Sequence, residues 1–536
     1  MLPNRSLKTI LCLCCVSAAG TKKKTLSPSK VSVNFHDNNT SLSAVTKRLH
    51  RSLVTLTSRE RQLCTIPHPI LNGSQRGWDN EAAFCRDVHL EVVLGGNSNT
   101  AYMVTFTSGG LTPSDEKNIP RPLLLKVYGT AMTKIVDRST DVDGSIAASL
   151  ASLGPGVVAL FEWGRLEVFL PGYNNHTTAL WMNADEPWYL RSVAVALRTF
   201  RDRCSTDLTS GATSTPSQPA SLDLHLSRFL GCFADAAVPA KDEDDIVKAF
   251  FANCEAEKNW LLEQCVAIGD DLVFSHCDSN PSNLMWKRVT SPTSSSSPSG
   301  RTFSPMRVPI QQEQEPHCTS PNTPPSAPPS RSNSEMMELF LIDYEYCGWN
   351  FPFFDLGNVV CEMDYDYETS HGHPTTEPVA CTLPANGGDD WKSADGYCGF
   401  VKPTAEQHKN DDYHYPRLAM NILSCIRAKE SGLPYEGDNL AAHIVENFVA
   451  PFFDVPASSL TVNDHFRRLA LGMLSSNLKW GVWGCAICSE EAKHDAKTAT
   501  VTLPRGSSGL DYAAYSECRL RDYEALKALL TKEKIL

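Results

Sequence analysis

Short apolar segments of strand length occupy the first third of the chain, where polar residues and glycines separate them. This pattern predicts β-strands, and the segments are Leu90–Leu94, Tyr102–Phe106, Leu123–Tyr128 and Leu166–Leu170. Gly95 and Gly96 stand between the first segment and the second. We therefore expect the first two strands to pair across a tight glycine turn.

From residue 185 onward the spacing of apolar residues becomes helical. Asp185 and Pro187 form a helix start signal, and apolar residues follow at i, i+3, i+4 and i+7, namely Leu190, Val193, Ala194 and Leu197. A later helix near Asn463 places Phe466, Leu469, Met473 and Trp480 on one side. Strands first and helices later predict an α+β fold with a small β-rich amino-terminal lobe and a larger, mainly helical carboxy-terminal lobe.

Two long segments lack an apolar pattern. Residues 291–335 are rich in serine and proline and are predicted to be a disordered insertion. Residues 1–60 are predicted to be a largely disordered arm. We expect the amino-terminal lobe over residues 61–170 and the carboxy-terminal lobe over residues 171–536, with the insertion inside the second lobe.

Composition excludes some classes of protein. The 536 residues are 42% hydrophobic, enough for a sizeable core, and the net charge of −12 argues against a nucleic-acid binder. Nineteen irregularly spaced cysteines suggest reduced thiols and a cytoplasmic protein. No apolar stretch reaches the ~20 residues of a membrane span. Residues 1–24 weakly resemble a signal peptide.

The glycine turn is the first candidate for chemistry. Gly95-Gly96-Asn97-Ser98-Asn99 is either an ordinary hairpin turn or a loop whose backbone amides approach an anion. Lys126, on the third predicted strand, is typical of a point charge for a nucleotide phosphate.

A stronger signal is the loop that runs from His276 to Asn283, between two apolar strands. An aspartate and an asparagine five residues apart on a tight loop can divide two tasks. Asp278 can accept a proton from an attacking hydroxyl, and Asn283 can hold a magnesium ion bound to a triphosphate.

Asp343 ends a second apolar strand, where a carboxylate suits a metal ion. If residues 291–335 are an insertion at a loop tip, Leu284–Val289 and Met337–Ile342 become the arms of one hairpin. Long loops cost little extra closure entropy, so such an insertion is tolerable. The hairpin places Asn283 beside Asp343, as two ligands of one metal must be.

These motifs together resemble the choline/ethanolamine kinase family. The resemblance extends from about Leu94 to the carboxy terminus and rests on Lys126-Val-Tyr-Gly129, Gly164-Arg-Leu-Glu167, His276-Cys-Asp-Ser-Asn-Pro-Ser-Asn283, Ile342-Asp-Tyr-Glu-Tyr346, Phe354-Asp-Leu-Gly-Asn358 and Trp480-Gly-Val-Trp483. It implies a two-lobed, protein-kinase-like fold, with residues 61–170 as the ATP-binding lobe. It also implies ATP- and Mg²⁺-dependent phosphorylation of choline or ethanolamine, the first step of phospholipid synthesis by the nucleotide-activated route.

The resemblance also implies roles for individual residues. Asp278 would be the catalytic base, and Asn283 and Asp343 would be the magnesium ligands. Lys126 would contact the phosphates of ATP, and the segment from Glu167 to Leu170 would take adenine through its backbone. Supporting roles fall to three further residues: Asp355 would brace the catalytic loop, Asp141 would pair with Lys126, and His276 would be structural.

A cationic amino alcohol calls for aromatic faces and a carboxylate, because a quaternary ammonium group has no hydrogen to donate. The family's choline pocket matches Glu362, Tyr367, Trp480, Trp483 and Tyr512 here. Trp480 and Trp483 share a helix face because they are three residues apart. The motif around Glu362 favours choline, with ethanolamine also used.

Two positions depart from the motifs of the family. Asp141 stands where relatives have a glutamate, and Ser282 stands where they usually have a glycine. The alternatives are a kinase of another small hydroxylated molecule, such as an aminoglycoside, and a catalytically weak regulatory binder. A homodimer is expected because relatives are often dimers.

Overall fold

The computed structural model describes residues 42–56, 65, 68, 70–71, 80–93, 99–107, 121–129, 135–209, 219–233, 246–290, 305–310, 335–363, 414–497 and 512–536. Within them, a small β-rich lobe precedes a larger helical lobe. This order confirms the α+β class and the kinase-like arrangement of lobes.

The amino-terminal lobe is built on a five-stranded antiparallel sheet with the order β1-β2-β3-β5-β4. Its strands are β1 (Val88–Val93), β2 (Asn99–Phe106), β3 (Leu123–Tyr128), β4 (Val157–Phe161) and β5 (Gly164–Val168). β3 alternates as a half-buried strand should, since Leu123, Leu125 and Val127 enter the core of this lobe. The opposite face of β3 carries Lys126 towards the second lobe.

A helix packs on this sheet where the sequence pattern predicts a disordered arm. α1 (Leu42–Thr55) buries one stripe of residues in the core of the sheet, formed by Val45, Leu49 and Leu53. The prediction of disorder over residues 1–60 is therefore wrong for this helix. The helix is polar overall, so its apolar stripe is not evident from composition. Such a helix is stable only when another element, here the sheet, covers its apolar stripe. Residues 1–41 lie outside the described part of the chain.

The other described helices are α2 (Glu81–Asp87), α3 (Arg138–Leu150), α4 (Thr178–Met182), α5 (Trp188–Thr209), α6 (Ser221–Phe233), α7 (Ile246–Val266), α8 (Phe354–Glu362), α9 (His414–Glu430), α10 (Asn439–Ile444), α11 (Ala450–Phe453), α12 (Arg467–Lys497) and α13 (Tyr512–Lys532). Short 3₁₀ turns cover Pro281–Asn283 and Ala457–Ser459, and π-helical turns cover Val445–Val449 and Val462–Phe466. Both predicted amphipathic helices are present, the first as α5 and the second as the π-helical turn Val462–Phe466 continued by α12, and their apolar stripes are buried.

Two glycines bring α8 and α12 into backbone contact. A Cβ atom on Gly357 would lie 1.9 Å from the carbonyl carbon of Gly472, and one on Gly472 would lie 2.2 Å from the carbonyl oxygen of Phe353. Only glycine permits so close an approach. The crossing sets the position of α12 against the candidate site.

The predicted hairpin is confirmed. β8 (Leu284–Thr290) pairs antiparallel with β10 (Glu335–Leu341), from Leu284 opposite Leu341 to Thr290 opposite Glu335. The sheet has the order β6-β8-β10-β9, with β6 (Asn174–Asn175) and β9 (Met306–Pro309). A separate two-stranded ladder joins β7 (Val273–Ser275) to β11 (Gly348–Asn350).

β9 lies inside the segment predicted to be a disordered insertion. Its four residues pair with β10, from Met306 opposite Leu339 to Pro309 opposite Met336. The prediction of disorder over 291–335 is wrong for these residues and for Glu335, which belongs to β10. Residues 291–304 and 311–334 lie outside the described part of the chain.

Candidate active site

The loop that follows β7 is fixed by a single carboxylate. Asp355, at the start of α8, accepts hydrogen bonds from the backbone amides of His276 and Cys277, both at 2.8 Å. It also accepts one from the hydroxyl of Ser279 at 3.1 Å. Asp355 is buried, so these bonds balance its charge without water. The loop before Asp278 is therefore anchored to α8.

The same loop is joined to the end of the β8–β10 hairpin. The amide of Ile342 donates to the carbonyl of Asn283 at 2.9 Å, and the Nε2 atom of His276 lies 2.9 Å from the Ile342 carbonyl. Asp343 follows directly. Both Asp343 and Cys277 adopt left-handed backbone conformations, with φ of 65° and 62°. Such conformations are uncommon outside glycine and cluster at functional sites.

Asp278 and Asn283 contact each other directly. The amide nitrogen of Asn283 donates to the carboxylate of Asp278 at 2.8 Å and to its carbonyl at 3.0 Å. The Asn280 side chain donates to the other carboxylate oxygen at 3.0 Å. Burial raises the pKa of Asp278 to about 7. The Lys479 ammonium opposes this effect, and Asp343 and Glu362 add to it.

Lys126 and Asp343 form an ion pair between the two lobes. Burial alone would lower the pKa of Lys126, but Asp343, Asp141 and Glu345 together outweigh burial, and the pKa of the ammonium is raised. In the same way, burial favours neutral Asp343, but Lys126 holds its pKa below the usual value. Both partners are therefore charged.

Asp141 does not pair with Lys126, contrary to the expectation from the sequence. Its carboxylate binds Arg165, which stands opposite Lys126 across the β3–β5 ladder. Arg165 also binds Glu167 through its Nε atom. All three side chains are buried. The arginine lies on the same face of the sheet as Lys126, and the longer, planar guanidinium takes the carboxylate.

The predicted adenine segment leaves β5 beside the hairpin sheet. The Glu167 side chain accepts a hydrogen bond from Arg165. Two backbone amides of the segment donate hydrogen bonds to carbonyls of the protein. Val168 donates to the carbonyl of Gly156 at 2.9 Å, and Phe169 donates to that of Pro122 at 3.1 Å. Leu170, at the end of the segment, is half-buried.

Only one residue of the predicted phosphate loop lies in the described part of the chain. Asn99 begins β2, and its side chain donates to Glu345 at 3.3 Å, so it faces the turn after Asp343. Arg138 lies 3.5 Å from the same carboxylate oxygen. Gly95, Gly96, Asn97 and Ser98 lie outside the described residues, as does Tyr367 of the predicted pocket.

The remaining aromatic residues of the predicted pocket form one buried cluster. The rings of Trp480 and Trp483 are 5.4 Å apart and edge-on, and Tyr512 meets Trp483 in the same way at 5.5 Å. Tyr346 joins them, accepting a hydrogen bond from Trp483 Nε1 at 2.7 Å. Asn358 fixes Trp480 by accepting its indole N–H at 2.7 Å. The structure therefore brings Tyr512 into contact with Trp483 and close to Trp480, although Tyr512 lies about 30 positions further along the chain.

Two buried cations in this region were missed by the sequence patterns. Lys479 is fully buried and donates to the carbonyl of Cys277, directly before Asp278. Arg519, on α13, forms an ion pair with Glu362. Lys479 interrupts a long apolar face of α12 immediately before Trp480, and that interruption was the available signal. Arg519 lies among other charged residues of α13, so the sequence contained no signal that it would be buried.

The residues present fit a magnesium ion. The amide nitrogen of Asn283 is committed to Asp278, so its oxygen is the atom that can face a cation. The carboxylate of Asp343 is ionised and 30% exposed. Mg²⁺ prefers such oxygen ligands and completes its shell with water and phosphate. No cluster of three His, Cys, Asp or Glu residues suited to a metal occurs within the described ranges.

Comparison with known sequences identifies the family. A model of the family described as choline/ethanolamine kinase matches residues 90–383. This chain belongs to the choline/ethanolamine kinase family. The match contains the loop with Asp278 and Asn283, the hairpin, and Asp343. The kinases of this family use ATP.

Individual relatives of the choline/ethanolamine kinase family are distant in sequence. The chain is 23% identical to a choline kinase of Saccharomyces cerevisiae over 298 residues, 53% of this chain and 47% of that protein. It is 25% identical to a choline/ethanolamine kinase of Rattus norvegicus over 277 residues, 51% of this chain and 55% of that protein. The chain thus spans about half the length of these relatives.

Two solved structures of kinases are also similar. A choline kinase from Cryptosporidium parvum aligns with a TM-score of 0.45 and 17% identity, over 86% of this chain and 94% of that one. An ethanolamine kinase from Plasmodium vivax aligns with a TM-score of 0.46 and 13% identity, over 90% of this chain and 94% of that one.

Two further expectations concern compartment. Among the residues that the structure describes, the cysteines form no disulfide bond with one another. Among the helices described, none combines the length and the apolar character that crossing a membrane requires. The signal-peptide-like segment lies outside the described residues.

Proposed function

We propose that this protein transfers the γ-phosphoryl group of ATP to the hydroxyl group of choline or ethanolamine. The observation that carries the proposal is the convergence of Asp278, Asn283, Asp343 and Lys126 at the end of one hairpin. Family membership supplies the reaction class. The remaining steps assign a task to each residue.

Asp278 is proposed to orient the acceptor hydroxyl and to take its proton. The hydroxyl oxygen forms a bond to the γ-phosphorus while the bond to the bridging oxygen of ADP breaks, and ADP leaves. A carboxylate with a pKa of about 7 is well matched to this task near neutral pH. Asn280 and Asn283 hold both carboxylate oxygens, which limits rotation of the base.

Asn283 and Asp343 are proposed to hold Mg²⁺, which when bound neutralises charge on the phosphates of ATP. Lys126 is proposed to move from Asp343 to a phosphate when the nucleotide binds. The Asp343 carboxylate, once Lys126 leaves it, would be available to hold the metal together with Asn283.

Glu362, Tyr367, Trp480, Trp483 and Tyr512 are proposed to form the acceptor side of the site. The segment ending at Leu170 is proposed to contact adenine, and the loop from Gly95 to Asn99 is proposed to cover the phosphates. We place the reaction in the cytoplasm, as the first step of phosphatidylcholine or phosphatidylethanolamine synthesis. A homodimer remains a prediction.

The test is ATP turnover by the purified full chain with Mg²⁺, offered choline, ethanolamine, an aminoglycoside or no acceptor. We expect ADP and a phosphorylated amino alcohol to form in equal amounts only with the first two. Turnover with the aminoglycoside alone would assign a different acceptor. Nucleotide binding without turnover of any acceptor would favour the regulatory binder.

A further inference from the structure

The predicted acceptor pocket already contains a cation. The Lys479 ammonium lies 4.1 Å from the ring centre of Trp480, 4.7 Å from that of Tyr346 and 5.2 Å from that of Phe354. These distances fall within the range of cation–π attraction. The side chain is fully buried, so water does not share these faces.

Three carboxylates act electrostatically on the same ammonium group, those of Asp278, Asp355 and Glu362. Lys479 itself donates a hydrogen bond to the carbonyl of Cys277. Burial lowers the pKa of Lys479, and these carboxylates oppose the effect. A buried lysine is stable only when such partners compensate for lost hydration. The negative charge that would attract a substrate cation is therefore partly balanced from within.

Glu362 is balanced in the same manner. Its carboxylate forms an ion pair with Arg519, and both side chains are buried. Glu362 thus faces a cation of the protein, Arg519, while Lys479 lies over the ring of Trp480. An incoming quaternary ammonium group would compete with Lys479 for the ring faces and gain little from Glu362.

We propose that Lys479 determines acceptor specificity by occupying the aromatic faces that a quaternary ammonium group needs, so that the site prefers a primary amino alcohol. This inference rests on the proposed function and reverses the preference for choline suggested by the motif around Glu362. A trimethylammonium group binds through ring faces and charge alone. A primary ammonium has three N–H donors and can bind carbonyl and carboxylate oxygens instead.

The experiment measures kcat and KM for choline and for ethanolamine with the wild-type chain, Lys479→Met and Lys479→Arg. The wild type should prefer ethanolamine at least tenfold in kcat/KM. Lys479→Met should raise the ratio of choline to ethanolamine kcat/KM at least tenfold, mainly through a lower KM for choline. Lys479→Arg keeps a cation and should change the ratio less than threefold. Lys258→Met, which removes another buried lysine from α7, is the matched control and should keep the wild-type ratio.

Three results would overturn the inference. A wild-type preference for choline would overturn the inference by itself. This result needs no variant, so it holds even if a variant fails to fold. An unchanged ratio in Lys479→Met, even with a lower melting temperature, shows that the lysine is only structural. In both cases the proposed function stands. If the wild type binds ATP and phosphorylates neither amino alcohol, the proposed function itself fails, and the inference fails with it.

Discussion

The ammonium group of Lys126 and the carboxylate of Asp343 are joined in an ion pair that connects β3 of the first lobe to the end of the hairpin in the second. The pair is largely shielded, with 11% of the lysine side chain and 30% of the aspartate side chain exposed. The attraction between two opposite charges is stronger where they are shielded from water than where they are exposed at the surface. The contact therefore holds together two groups of which one, Lys126, is proposed to bind a phosphate of ATP and the other, Asp343, the metal ion.

Lys126→Met should lower kcat/KM for ATP by about 10²–10³-fold, because it removes a preorganised positive charge from the phosphates. Steady-state kinetics with saturating acceptor will check this prediction. Lys429→Met is the control, because it removes an ion pair outside the candidate site. Lys429 lies on α9 and pairs with Glu446 of the π-helical turn Val445–Val449. An equal loss in both variants, or none in Lys126→Met, would contradict the role given to Lys126.

Asp355→Asn should weaken both the fold and turnover. The replacement turns an NH₂ group towards backbone amides that need an acceptor, which costs about 1–3 kcal/mol of unfolding free energy. We expect a larger effect on kcat than on KM for ATP, because the loop carries Asp278. Urea unfolding and kinetics measure the two effects. Asp270→Asn, which alters an ion pair with Arg468, should change both values much less.

Gly472→Ala tests the backbone contact between α8 and α12. The added methyl group would overlap the carbonyl of Phe353, so one helix must move. We expect a loss of about 1–3 kcal/mol in unfolding free energy. Gly231→Ala is the matched control on α6, where nothing lies within 4 Å of the new atom. It should leave stability unchanged or raise it by about 0.5–1 kcal/mol. The reverse order would show that the helices are not in contact at these glycines.

His176 should make the fold sensitive to acid. Burial lowers the pKa of this side chain to about 3, and its Nδ1 atom accepts a hydrogen bond from Trp181 at 3.2 Å. The unfolded chain binds a proton near pH 6.5 and the folded chain does not, so stability falls as the pH drops from about 6.5 towards about 3. From about pH 7.5 to about pH 5 this group alone removes about 2 kcal/mol.

The check is urea unfolding of the wild type and of His176→Gln at both pH values. The variant should lose about 2 kcal/mol less than the wild type over this interval. His89→Gln is the control, because His89 is exposed on β1, and it should follow the wild type. A wild-type slope in His176→Gln would mean that the buried imidazole does not govern this interval.

The local patterns predicted most of the fold correctly. Short apolar segments predicted β1, β2, β3 and β5, and helical spacing predicted α5 and α12. Joining β8 to β10 required only that a polar insertion be removed. The pattern failed at α1 and β9, because each is stabilised by a neighbour distant in sequence: the sheet covers α1, and β10 pairs with β9.

The candidate site was predictable where motifs are short and local. Asp278 and Asn283 share one loop, and the hairpin brings Asp343 to them. The partners of charged groups were not predictable in the same way. The strand register places Lys126 and Arg165 on one face of the sheet, so either could pair with Asp141. Asp141 pairs with Arg165, and Lys126 pairs with Asp343. Lys479 was missed because its burial depends on how α12 packs against the loop of Asp278.

The most direct test of the central claim is phosphoryl transfer by the wild type and by Asp278→Ala, with ATP affinity measured on the same samples. We predict that the wild type converts ethanolamine or choline and ATP to the phosphorylated amino alcohol and ADP. Asp278→Ala should lose turnover to the limit of detection and bind ATP within about threefold of the wild type, because the lost group acts on the acceptor hydroxyl. Turnover by Asp278→Ala at the wild-type rate would contradict the account.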